Sequence, residues 1–138
     1  MNEVRIGKVS SVNAAAGTVR ITYADKSDKA TAELPVFCGM GEYQMPAVND
    51  TVLVLHLSND SSIGIVMGRF WSATNPPPQG EAQMYRKNFD AAGAAFLQAV
   101  SGRITLSGQE LTLSGSAGAI TLSELIALKR KVDSLGDD

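Results

Sequence analysis

One short motif occurs three times in the second half of the chain. Ile104-Thr105-Leu106-Ser107-Gly108 is echoed by Leu111-Thr112-Leu113-Ser114-Gly115 and again by Ile120-Thr121-Leu122-Ser123-Glu124. Each unit places two apolar residues at i and i+2, which an extended strand turns to one face. Gly and small polar residues separate the units, as in repetitive β-structures. Strands this narrow carry their apolar residues in single file and cannot enclose a core. They also leave backbone edges that must be paired or covered. This segment is expected to fold only against other chains.

After the repeat the apolar spacing becomes helical. Leu125, Leu128, Val132 and Leu135 form an a/d seam of two heptads. Thr121 with Glu124 three residues on has the form of a capping box. Lys129, Arg130 and Lys131 fall in the later turns, where cations complement the helix dipole, and Gly136 is a natural C′ residue. A helix of about 14 residues is marginal alone, because isolated helices need roughly 12 to 15 residues even in good sequences. One arrangement answers the open edges, the thin core and the short helix together. Identical chains wrap around a common axis, and the seam closes the end as a short coiled coil. Leu and Val are mixed at a with Leu at d, a pattern that leaves two and three chains both open. The residues expected at the interface are Ile104, Leu106, Leu111, Leu113, Ile120, Leu125, Leu128, Val132 and Leu135.

Upstream lies Asn75-Pro76-Pro77-Pro78-Gln79-Gly80, a stiff extended spacer. The first half before it reads as strands. Val4, Ile6 and Val9 are spaced through Val4 to Val12, and Asn13 to Gly17 makes a turn. Val19, Ile21 and Tyr23 share one face of the next strand. Asp25 to Lys29 is a charged, solvated loop tip, Ala30 to Leu34 a third strand, and Pro35 its end. Thr51 to Leu57 is apolar enough for a strand covered on both faces. Asn59 to Ser62 is a turn, and Ile63 to Trp71 a fifth strand with Gly64 and Gly68 at bends or close approaches. Five short strands with turn signals between them predict a small closed barrel such as an OB-fold. In the second half, Met84 to Phe89 is read as a strand and Asp90 to Gly93 as a turn. Ala94 to Val100 is read as a strand, because Gly93 and Gly102 confine its alanines. The fold class is mainly β. The expected divisions are a barrel over 1–74, a Pro-rich linker over 75–80, a strand segment over 81–120 and a helix over 121–138.

Composition narrows the function. The net charge of -2 supplies no broad basic field for nucleic-acid phosphates. Aromatics at 6% with 13 Gly suit tight β-structure. Cys38 is the only cysteine, so no intrachain disulfide can form, which fits assembly in a reducing cytoplasm. Met1 to Gly7 has no apolar signal region, and no stretch is long enough for a membrane span. The expectation is therefore a soluble protein. His56 is the single histidine and is expected to be structural and partly exposed on the fourth strand, with no companion at metal-ligand spacing. Cys38 as a nucleophile would need His56 as its base. Phe70 and Trp71 are expected to close a barrel end or an interface rather than to stack bases. No paired-carboxylate domain fits beside the barrel, and no phosphate-binding Gly-rich motif is present. Neither a catalytic residue nor a cofactor or metal site is expected, so the chain is not read as an enzyme. A single-stranded nucleic-acid-binding OB-fold protein with an oligomerising tail is the alternative.

An ordered set of segments goes further. It comprises Val4-Arg5-Ile6-Gly7-Lys8-Val9, Gly17-Thr18-Val19-Arg20-Ile21, Met45-Pro46, Asn49-Asp50-Thr51-Val52-Leu53-Val54 and Gly64-Ile65-Val66-Met67-Gly68-Arg69-Phe70-Trp71. The Asn-Pro-Pro-Pro spacer and Met84-Tyr85-Arg86-Lys87-Asn88-Phe89 continue it. In this the chain resembles the phage baseplate assembly protein V family, the central spikes of contractile tails and related injection machines. The resemblance implies a homotrimer. Each chain would have an N-terminal OB-fold on the tail hub, and residues 81–120 would intertwine as a triple-stranded β-helix pointing at the target cell. It also implies assembly in the bacterial cytoplasm into the baseplate of a virion or tail-like particle, whose contraction drives the spike through the envelope. Two departures stand out. Longer spikes of this type end in an iron-binding His-x-His apex, which this chain lacks, and its C-terminal helix is unlike a β-tip. A blunt spike extended by a separate tip protein is therefore expected. Asn49 stands where the family often has Gly, and it is the next-best residue for a left-handed turn.

Overall fold

The computed structural model describes residues 3–58, 60 and 62–136. It is mainly β, with one C-terminal helix. The chain divides into two compact units between Pro76 and Pro77, inside the proline run.

The first unit is a nearly closed, barrel-like sheet. Its strands are β1 (Glu3–Asn13), β2 (Thr18–Thr22), β3 (Leu34–Pro35), β4 (Thr51–His56) and β5 (Gly64–Arg69), in the order β3-β2-β1-β4-β5. The two outer strands meet where Val36 bridges Val66 in parallel and the Phe37 N–H donates to the Val66 carbonyl at 2.9 Å. The core is Val9, Val19, Ile21, Tyr23, Leu34, Val52, Val54 and Val66, with Val12, Val36 and Met45 packed against it. The expected shared face of Val19, Ile21 and Tyr23 is buried in full.

Several sequence expectations are corrected. Val4 and Ile6 face outward, 66% and 60% exposed, although they share the apolar pattern of Val9. Arg5, Gly7 and Val9 hold the inner phase, and a bulge at Ser10 shifts the register between Val9↔Ile21 and Ser11↔Arg20. Val9 stands three residues after Ile6 and so on the opposite face; the bulge, which follows Val9, brings Val12 rather than Ser11 toward the core. The third strand begins at Leu34, not Ala30. Ahead of it, the Thr31 hydroxyl accepts from the Ile21 N–H at 3.1 Å, so a side chain interrupts the ladder that the backbone would make. Pro35 lies within this strand. The Val36 N–H donates to the Gly17 carbonyl, just before β2, at 2.9 Å, so Pro35, with alternate polarity, needs no donor on that side. β4 alternates instead of being covered on both faces: Val52, Val54 and His56 are buried, while Thr51, Leu53 and Leu55 are only partly so.

Gly64 is a close approach, since a Cβ there would lie 2.8 Å from the Leu55 carbonyl oxygen and 3.0 Å from His56 Nδ1. Gly68 sits at the β4–β5 register shift with φ +119°. Asn49 has φ 77°, the left-handed conformation expected of it. β5 stops at Arg69, opposite Val52 near the start of β4. Beyond it, a Ser72–Asn75 turn captures the chain through the Asn75 Nδ2 donation to the Phe70 carbonyl at 2.9 Å. Of the turn expected at Asn59 to Ser62, Asn59 and Ser61 lie outside the described residues, as do Met1, Asn2, Asp137 and Asp138.

The second unit holds a β6-β7-β8 sheet made of β6 (Tyr85–Asn88), β7 (Phe96–Val100) and β8 (Arg103–Ser107). Arg86 organises this sheet. Its guanidinium lies 3.8 Å from the centre of the Phe96 ring and donates to Gln98 Oε1 and Asn88 Oδ1 at 2.7 and 2.8 Å. A separate hairpin pairs β9 (Thr112–Gly115) with β10 (Gly118–Thr121), and helix α1 (Leu122–Leu135) follows it directly. The third copy of the repeat is thus strand only in its first two residues, Ile120 and Thr121, which end β10. Its Thr121 is the N-cap of α1, and the capping box with Glu124 turns the chain helical at Leu122. Gly136 is the C-cap itself, with φ -91°, rather than a left-handed C′ residue. Among the described residues, no helix is long and apolar enough to cross a membrane.

Candidate functional site

The described surface offers two places for function: a polar cluster at one end of the barrel, and the apolar surface of the second unit. The cluster is built on the inner phase of β1 and β4 and the end of β2. His56 is buried, contrary to the partial exposure expected of it, and touches the Tyr23 ring edge-on. Its Nδ1 lies 3.2 Å from the Ile63 carbonyl, which can only accept, so Nδ1 carries the proton. Nε2 then accepts from the Tyr23 hydroxyl at 2.7 Å. Arg5 lies 4.2 Å above the Tyr23 ring and is ion-paired with Asp25. The loop tip is solvated as expected, with 24–30 exposed, and Asp25 also ties it to the barrel through Arg5. Burial pushes the Tyr23 hydroxyl up to about 12, against the opposing effect of Arg5.

These contacts give His56 its structural role and engage both ring nitrogens. Neither is left to serve as a base for Cys38, which is exposed in the loop after β3. A cleft of about 480 Å³ borders the cluster, lined by Glu3, Arg5, Lys26, Lys29 and Ser58 among others. Its charged lining is mainly basic, with Arg5, Lys26 and Lys29 against Glu3. Among the described residues, no three His, Cys, Asp or Glu side chains gather as a metal site. Phe70 and Trp71 do not close the barrel; Trp71 is 63% exposed.

The second unit is different in kind. Among its described residues, 77–136, not one is buried. The expected interface residues are distributed over its elements: Ile104 and Leu106 on β8, Leu113 on β9, Ile120 on β10, and Leu125, Leu128, Val132 and Leu135 on α1. Leu111 precedes β9, and its carbonyl accepts from the Leu122 N–H at 2.8 Å. Leu113 and Ile120 are register partners, whereas Ile104 and Leu106 pair with Ala99 and Leu97 of β7. Ile104 is 79% and Leu135 78% exposed. Leu122 and Ile126, absent from the expected seam, are exposed apolar residues on the first turns of the same helix.

Glu110 ties α1 to the hairpin. Its carboxylate accepts from the Ser123 hydroxyl at 2.5 Å, from the Ser123 N–H at 3.2 Å and from the Leu111 N–H at 3.0 Å. These bonds, led by the Ser123 hydroxyl, hold the carboxyl below its ordinary value. With Thr121 and Glu124 they satisfy backbone donors that a helix start leaves open. Only the distance along the chain hid this anchor from a sequence reading, because Glu110 lies outside any local capping pattern.

The surface area expresses the same imbalance. The chain exposes 10196 Å². Two independent globules of the sizes of these units would together expose roughly 8,300 Å². The surplus of about 1,900 Å² per chain exceeds the roughly 800 Å² that one partner contributes to a standard interface. No protein-family model matches the chain, and no curated protein matches it either.

Proposed function

We propose that this chain is a structural spike subunit of a contractile-tail baseplate, acting as a homotrimer and transmitting force rather than performing chemistry. The observation that carries the proposal is the second unit, which has regular strands and a well-capped helix but no buried residue among those described. Secondary structure without a core is stable only when other chains supply the core. Three copies of residues 81–120 intertwine as a triple-stranded β-helix, pairing the open edges of β6, β8, β9 and β10. The first unit, with its parallel closure between the β3 end and β5, is read as an OB-fold that seats on the tail hub. The ordered resemblance to baseplate assembly protein V supports both assignments, and it supplies the trimer, the virion or tail-like particle and the target envelope as context. The blunt end receives a separate tip protein.

Light scattering on the full chain and on a truncation after Gly80 tests this. The full chain is expected at three times its own mass, and residues 1–80 as a monomer or weak associate. A monomeric full chain refutes the proposal. Exposed Trp71 keeps one rival in play, a single-stranded nucleic-acid binder, since exposed aromatics serve as stacking platforms. Tight binding of short DNA or RNA that falls steeply with salt would favour that rival.

A further inference from the structure

We infer that α1 is a parallel three-helix clamp that sets the number and alignment of the chains, its partner being two further copies of the same helix. This rests on the oligomeric reading above and adds where association is decided. At about 100° per residue, Leu125, Leu128, Val132 and Leu135 fall within an arc of roughly 80°. Leu122 and Ile126 lie beside that arc and widen it to about half the circumference over the first turns. In the later turns the same flank carries the Lys129–Asp133 ion pair, 2.9 Å long. An a/d stripe alone suits two helices, whereas a wider apolar face suits a helix packed against more than one neighbour. Heptad spacing alone leaves two and three chains open; Leu122 and Ile126 make the face wide enough for three.

Direction and alignment come from the anchor. Glu110, Leu111, Thr121 and Glu124 fix the first turn of α1 to its own β9–β10 hairpin. Neither piece is stable alone, since two-stranded hairpins and 14-residue helices are both marginal in water. Hairpins held side by side therefore present their helices in the same direction. Once three helices pack, the three hairpins stand at one level, and the strands before them start in register. The occupant is a second and third copy because the chain already exposes a surplus of interface size and the seam is self-complementary.

The experiment compares dissociation constants of the full chain by sedimentation equilibrium, with circular dichroism to monitor the barrel. Leu128→Asp places a charge in the centre of the arc and is expected to weaken association roughly tenfold or more, as at a central interface residue. Val132→Ala, which keeps helix propensity, is expected to weaken it less. Arg130→Glu, opposite the arc, is expected to leave it unchanged. A trimeric wild type with an equally trimeric Leu128→Asp overturns the clamp and leaves the spike reading standing. Equal losses from Arg130→Glu and Leu128→Asp overturn it as well, and so does a dimeric wild type. A monomeric wild type overturns the spike reading itself.

Discussion

Tyr23 and His56 form a polar pair inside a largely aliphatic barrel core. The buried His56 satisfies one nitrogen on a carbonyl and the other on a hydroxyl, which is the condition for a buried imidazole to cost little. The Tyr23 hydroxyl is held protonated, its titration moved from 10.0 to about 12 by burial. A folded value above the unfolded one means the contribution is full below pH 10 and is lost as pH rises toward 12. The barrel is therefore expected to lose stability across that window, measured by urea unfolding at stepped pH. Tyr23→Phe should flatten the alkaline loss while costing about 1 to 3 kcal/mol at neutral pH, because Nε2 is left buried without a donor. An unchanged alkaline slope in the variant would show that another group is responsible. The sequence marks His56 as lone and structural, but its burial and its partner lie beyond reach, because Tyr23 stands far from it along the chain.

Among the elements, β1 is the most instructive. Its apolar residues look equivalent in the sequence and are not. Ile6 points outward, whereas Val9 is buried and its β2 partner Ile21 fully so. Ile6→Ala is expected to change barrel stability by no more than about 0.5 kcal/mol, and Ile21→Ala to cost about 2 to 5 kcal/mol. Equal losses in denaturant titrations would place Ile6 in the core. The helix makes the complementary point. Thr121, Glu124 and the heptad spacing announce α1 within two residues of its start. The third repeat, however, stays in β10 only as far as Thr121, because the same capping box turns the chain helical at Leu122.

The assembled chain is expected to unfold in two steps. The first unit buries its own core and should melt independently of concentration. In the proposed trimer the second would draw its core from other copies, and its midpoint should then rise with chain concentration. Circular dichroism melts over a hundredfold concentration range check this, and a single concentration-independent transition would contradict it. The strand count of the first unit, the division at the prolines and the C-terminal helix were legible in the residues. They depend on local geometry: the two-residue period of a strand, the locked φ of proline, the 3.6-residue turn of a helix. Which side of β1 faces inward, that His56 is buried against Tyr23, and that Glu110 anchors α1 became visible only in three dimensions. Each depends on groups brought together from distant positions in the chain, and no local pattern carries that information.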